Sequence, residues 1–218
     1  MTPQAPAEDC ALCPRLAQFR ADNQTRFPAW HNAPVPSFGA LDARLLVVGL
    51  GPGLRGANRS GRPFTGDYAG DLLYATLATH GFANDGFRAP REDAPWVGDG
   101  LRLHDARVTN AVRCVPPGNK PEPTEIRACN GFLRAEIDAM PQLRVIVALG
   151  RVAHDAVLSA RGRRRADAAF AHGAAHDLGG GIALVDSFHC SRYNTNTRRL
   201  TPEMFAAIFA RVRGLVNA

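Results

Sequence analysis

The sequence predicts an α/β domain built on a central four-stranded parallel sheet flanked by helices. Three observations carry that expectation. Four short apolar runs are β-branched or leucine-rich and lack clean alternation, the character of strands buried on both faces. Segments with apolar residues at helical spacing lie between them, and strands alternating with helices favour an open parallel sheet. With 45% hydrophobic residues over 218 positions, one domain can bury a full core.

The strand candidates are Leu45–Leu50, Val108–Val112, Val145–Leu149 and Ile182–Phe188. The first helix candidate, Leu72–His80, ends at Gly81, a residue suited to a helix C-terminus. Thr124–Met140 places Ile126, Cys129, Leu133, Ile137 and Met140 on one face, with Thr124 as a cap after Pro123. Val152–Ala160 follows the third strand, and Thr201-Pro202 opens a last helix to Val216. Residues 1–40 are proline-rich and weakly patterned, and are expected to form an arm on a domain spanning 41–218.

In such sheets ligands sit beyond the carboxyl ends of the strands. The segments there are Gly49–Gly53, Asn110–Lys120, Gly150–Arg151 and His189–Thr197, the most polar and glycine-rich of the chain. Three of them should converge on one cleft. The glycine-rich turn is no phosphate-binding P-loop, because Gly56-x₄-Gly61 is followed by Arg62-Pro63 and lacks the lysine. Phe64, between polar residues, is a candidate platform for a planar ligand. Asp67 suits a helix N-cap equally well as an acid at the site. Asn110 can both donate and accept, which suits reading the edge of a base, or it is a turn residue. His189 could donate to an anion or act as a general acid.

Four of the five cysteines fall into two groups, Cys10-x₂-Cys13 and Cys114 with Cys129. Thiolates on separate segments suit a metal or iron–sulfur centre that ties the arm to the domain. The chain shows no apolar run near the ~20 residues of a membrane span and no signal peptide, so it is expected to be soluble and intracellular. Thiols stay reduced there, which favours metal over disulfide. Fourteen residues separate the second pair, which disfavours a zinc knuckle. A net charge of +6, carried almost wholly by arginine, favours a polyanionic partner. The dense run Arg161–Arg165 reads as a solvated loop.

Taken with GLGPG at 49–53, NRSGRPFTGD at 58–67, TNAVRCVPPGNKP at 109–121 and HCSRYNTNTRRLT at 189–201, the chain resembles the family 5 (type b) uracil-DNA glycosylases of the uracil-DNA glycosylase superfamily. The resemblance runs in order along nearly the whole chain. It implies the superfamily's four-stranded parallel sheet, and a 4Fe-4S cluster on Cys10, Cys13, Cys114 and Cys129 that staples the N-terminal arm. It implies that Asp67 and His189 are catalytic: Asp67 favours the cationic sugar or positions water, and His189 stabilises the anionic leaving base. Gly51, Phe64 and Asn110 would bind the base, with Phe64 stacking on it. Ser191, Arg192, Tyr193, Asn194 and Arg198 would contact DNA, with Tyr193 a candidate wedge and Arg199 also near phosphates.

The implied activity is removal of uracil, and of other deaminated bases such as hypoxanthine, from DNA in a bacterial or archaeal cytoplasm by a nucleoid-associated monomer. Two departures matter. Leu50 stands where family 4 has an acidic residue, which agrees with family 5 and moves catalysis onto Asp67. His189-Cys190-Ser191 replaces the usual His-Pro-Ser, which predicts a less rigid loop. The alternatives are a non-catalytic iron–sulfur module that binds damaged DNA, against which Asp67, Asn110 and His189 argue, and a zinc-stapled hydrolase of free nucleotides.

Overall fold

The computed structural model describes residues 3–89, 96 and 98–217. In chain order the elements are α1 (Pro14–Arg26), β1 (Phe38–Gly39), β2 (Leu45–Gly49), α2 (Ala57–Ser60), α3 (Tyr68–Thr79), β3 (Ala106–Asn110), α4 (Pro123–Asp138), β4 (Val145–Leu149), α5 (Arg151–Ala160), β5 (Ala175–Asp177), β6 (Ala183–Ser187), α6 (Arg192–Asn196) and α7 (Pro202–Asn217).

The sheet is larger than expected, and mixed. Its order is β1-β3-β2-β4-β6-β5. The four central strands are parallel and correspond to the four apolar runs. The outer two, β1 and β5, are antiparallel to their neighbours. They are two and three residues long, too short to carry a period, and β5 (Ala-His-Asp) is polar. Short, polar edge strands are one way a sheet avoids pairing with another chain.

Alternate residues of the central strands feed two cores. Leu45, Val47, Val108, Val145, Val147 and Val185 pack under α3 and α7. Leu46, Val48, Ile146, Ala148 and Leu184 pack under α4 and α5. Burial on both faces is why the strand sequences read as continuous apolar runs.

Residues 1–40 contain a helix that the pattern did not predict. α1 buries only Leu16, Arg20 and Asn23, so it has no apolar stripe to detect. Polar contacts hold it instead: the Arg15 guanidinium donates to both carboxylate oxygens of Glu125 at 2.8 Å. No helix among the described residues is long and apolar enough to cross a membrane.

Candidate active site

Gly49 and Asn110 end neighbouring strands in register, so both sit at the carboxyl edge of the sheet. Asn110 is 3% exposed, and among the described residues its Oδ1 has no hydrogen-bond partner. An orphaned buried acceptor costs about 1–3 kcal/mol, so a ligand N–H is the natural partner for this one. Gly49 lies against it. A Cβ at residue 49 would stand 2.4 Å from Asn110 Oδ1 and 2.5 Å from the Phe64 ring.

Phe64 is buried, with φ +51°. A bulky residue in the left-handed region is strained, and such strain persists only where neighbours fix it. Here several do. Tyr74 Oη donates to Pro63 O at 2.6 Å, and Ser60 Oγ to Thr65 O at 3.1 Å. Gly70 backs directly onto the Phe64 carbonyl, where a Cβ would come within 1.8 Å. Arg62 donates to Thr65 Oγ1 and pairs with Asp99 at 2.7 Å. Its guanidinium also lies over the rings of Phe38, Tyr74 and Trp96. Neither Arg62 nor Gly70 stood out in the sequence; the arginine between Gly61 and Pro63 was the only signal for the first.

Asp67 caps α3, its Oδ1 accepting from Gly70 N at 3.1 Å. The other oxygen faces Gly53 and Gly56, where a Cβ would lie 3.1 and 2.8 Å away. Those glycines therefore make room for a carboxylate. The carboxyl opens to solvent on one side, yet the protein around it raises its pKa above the ordinary value, against the pull of the Gly70 amide. Thus Asp67 is a cap whose second carboxylate oxygen faces the glycine-rich loop and whose side chain lines a solvent-open cleft.

His189 follows β6. Its ring lies 27° from the Phe64 plane with centroids 6.0 Å apart, and among the described residues nothing hydrogen-bonds its nitrogens. Burial pulls its pKa down to about 4, so it is a neutral imidazole at pH 7. The His189-Cys190 departure does not leave this segment loose. Cys190 is fully buried and its thiol donates to Ala69 O at 3.4 Å, while Asn194 Nδ2 donates to His189 O at 2.8 Å. Gly51 lies in the loop after β2, with Val112 O 3.5 Å from where its Cβ would stand.

The lowered pKa of His189 has a consequence for stability. Between pH ~6.5 and ~4 the unfolded chain takes up a proton that the folded protein excludes, so stability falls as pH falls. The effect reaches about 3 kcal/mol at the acid end. A His189→Gln variant should lose much less stability than the wild type between pH ~7 and ~4.5, as read from urea midpoints.

Beside Asp67 opens a cleft of about 270 Å³, lined also by Trp30, Arg55, Arg59, Tyr68 and Arg192. Arg192 stacks over Tyr68 at 5.6 Å. Three arginines and two acids, Asp67 and Asp71, line this mouth, and its positive excess favours a phosphate backbone. Arg55 and Arg59 were not singled out in the sequence, although they punctuate its glycine-rich loop. Ser191 caps α6 by accepting from Asn194 N. Tyr193 stands 73% exposed on α6. Arg198 is exposed just past α6, and Arg199 lies over Phe188.

Cys10, Cys13, Cys114 and Cys129 line one small cavity with Leu12, Leu16, Val112 and Phe132. All are unpaired thiols. Burial pushes Cys114 up to about 11, and each thiol is raised further by the proximity of others in the set where a shift is seen. Four thiols around one apolar cavity fit a thiolate-bound cluster. A second group, His154, His176 and Asp186, could be mistaken for a metal site. Both His154 nitrogens face oxygens, Asp186 Oδ1 at 2.7 Å and Ala168 O at 3.0 Å, the geometry of a doubly protonated imidazole that donates two hydrogen bonds.

The family model described as the uracil DNA glycosylase superfamily matches residues 36–213. A type-5 uracil-DNA glycosylase of Thermus thermophilus is 44% identical over 95% of this chain and 94% of its own. One from Pyrobaculum aerophilum is 38% identical, over 93% and 87%. A type-4 uracil-DNA glycosylase of Thermotoga maritima is 40% identical over about half of each chain, 53% and 49%.

Proposed function

The chain belongs to the uracil-DNA glycosylase superfamily, among its type-5 enzymes, and from that premise we propose how its site works and what else it accepts. It is a DNA repair enzyme, a monofunctional glycosylase that hydrolyses the N-glycosidic bond of uracil in DNA and leaves an abasic site. The observation that carries the rest is the buried, unpartnered Oδ1 of Asn110 beside the Phe64 ring. Uracil presents an imide N–H, and hypoxanthine an equivalent ring N–H. Either satisfies that acceptor while its face rests on Phe64. Hypoxanthine and modified uracils are therefore substrates alongside uracil.

The base must leave the stack first, which costs a few kcal/mol and least at a mispair such as uracil opposite guanine. Arg55, Arg59, Arg192 and Arg198 hold phosphates, and Ser191 and Asn194 shape α6 so that the exposed Tyr193 fills the gap in the duplex. Gly51 lets the backbone approach the base. The C–N bond then stretches towards a cationic sugar and an anionic base, and the site supplies fixed charge and dipoles for both. Asp67 places a carboxylate beside the sugar and orients the attacking water. The neutral His189 donates from a ring nitrogen to the base oxygen on which charge develops. A neutral donor suits this role, because it stabilises the anion without first having to be desolvated as a cation.

We place a 4Fe-4S cluster on Cys10, Cys13, Cys114 and Cys129, supported by the four thiols lining one apolar cavity. When bound, the cluster supplies iron–thiolate bonds that cross-link the chain, and a one-electron couple. The chain's own part is to bring an arm, residues 1–40, onto a domain of 41–218. α1 carries Arg15 to Glu125 on α4, four residues before Cys129. Cys129→Ala should lose iron, lower the urea midpoint and open residues 1–40 to protease. A variant that is iron-free but keeps the wild-type midpoint and protease resistance would remove the staple from this account. We infer that it works as a monomer on the nucleoid, and its bacterial and archaeal relatives fit a cytoplasmic setting.

Duplexes carrying a single uracil or hypoxanthine, incubated with the protein and then treated with alkali, test the substrate reading. Strand cutting at both bases supports it. Cutting at uracil alone restricts the enzyme to uracil. Binding without cutting at either would favour a damage-binding module.

A further inference from the structure

Arg20 is a buried cation that the proposed reaction does not use. It lies in α1 and is 7% exposed. Nη2 donates to Cys10 O at 3.0 Å, and Nη1 approaches Cys114 Sγ at 3.7 Å. No carboxylate pairs with it among the described residues. The other cations near the four cysteines each have a carboxylate partner: Arg113 and Arg107 both pair with Glu136, and Arg15 pairs with Glu122 and Glu125. A buried guanidinium without an anion is strongly unfavourable. The groups it faces are a backbone carbonyl and one thiol, neither of which is an anion while the thiol is protonated. The surroundings thus hold a cation whose counter-ion the protein alone does not provide.

We propose that Arg20 is the counter-charge of the iron–sulfur centre, donating to the Cys114 sulfur and fixing the centre's resistance to oxidation. This rests on the cluster assignment above. Four thiolates around a 4Fe-4S core of charge 2+ leave a net charge of 2−, and that supplies the missing anion. Net charge, hydrogen bonds to the sulfurs and exposure set the potential of such centres. A fixed positive charge favours the more negative state, so it opposes loss of an electron. Its removal should shift the midpoint to more negative values and make the core easier to oxidise.

The test uses the whole protein, purified without oxygen, as wild type, Arg20→Lys and Arg20→Gln. Iron and sulfide are counted first. Ferricyanide is then added, and the fading of the visible absorption is followed. One electron passes from the core, 2+ to 3+, to ferricyanide, which becomes ferrocyanide; the oxidised core then sheds iron as its iron–sulfur bonds break, and that loss, after subtraction of the ferricyanide absorption, is the fading followed. The expected result is near-wild-type behaviour for Arg20→Lys and fading at least about fivefold faster for Arg20→Gln, with the midpoint shifted negative. Failure of Arg20→Gln alone to load iron supports the same role. Equal fading of all three, with full iron, overturns it. So does equal impairment of the Lys and Gln variants, which would mean that Arg20 only packs. A wild type without iron would instead sink the cluster assignment itself.

Discussion

Asp67→Asn should lower uracil excision by about 10²–10³-fold, the usual cost of removing one preorganised charge or donor from a site where charge develops. Asparagine is chosen because it caps a helix as well as aspartate. The bond to Gly70 N survives, α3 stays anchored, and only the charge facing Gly53 and Gly56 is lost. Asp67→Ala would remove both and confuse a cap worth about 1 kcal/mol with catalysis. His189→Ala should show a loss of similar size. Single-turnover rates on a uracil duplex give the effect, and binding to a duplex bearing an uncleavable analogue should stay close to wild type. Wild-type rates in both variants would remove Asp67 and His189 from the chemistry.

Gly49→Ala should be as damaging, although residue 49 need not touch the substrate. The new methyl would meet Asn110 Oδ1 at 2.4 Å and the Phe64 ring at 2.5 and 2.8 Å. Neither has slack: Asn110 ends a paired strand and Phe64 is already held at a positive φ. Both must shift by several tenths of an ångström or more. Misplacement on the order of 1 Å costs about 10²-fold in rate. Gly51→Ala is the contrast. A Cβ there meets nothing closer than 3.5 Å, so the protein itself is unstrained, and any lost activity reports contact with the base. Urea midpoints near wild type in both variants would show that the losses arise at the site.

What the sequence revealed and what it hid have physical reasons. The central strands were legible because burial on both faces makes them continuously apolar, and the strand-end rule then brought Asn110, Phe64 and His189 to one place. The glycines of the first motif were visible, but not their purpose. Gly53 and Gly56 accommodate the Asp67 carboxylate, a contact that exists only once α3 folds back. Short edge strands and the polar helix α1 carry no period to detect. The Cys190 departure suggested looseness; a thiol bond to Ala69 O, which no local pattern encodes, supplies part of the restraint. The support of Phe64 by Arg62 depends on Asp99 and Trp96, more than thirty residues away in sequence.

The most direct test measures single-turnover excision of uracil against N3-methyluracil, each placed opposite an abasic gap in a duplex so that neither base is paired. If Asn110 Oδ1 receives the imide N–H, the methylated base should leave at least about 10²-fold more slowly, since it leaves a buried acceptor unpaired and adds a clash. Asn110→Ala should erase most of that discrimination. Equal rates for the two bases in the wild-type enzyme would contradict the assignment of Asn110 as the reader of the base.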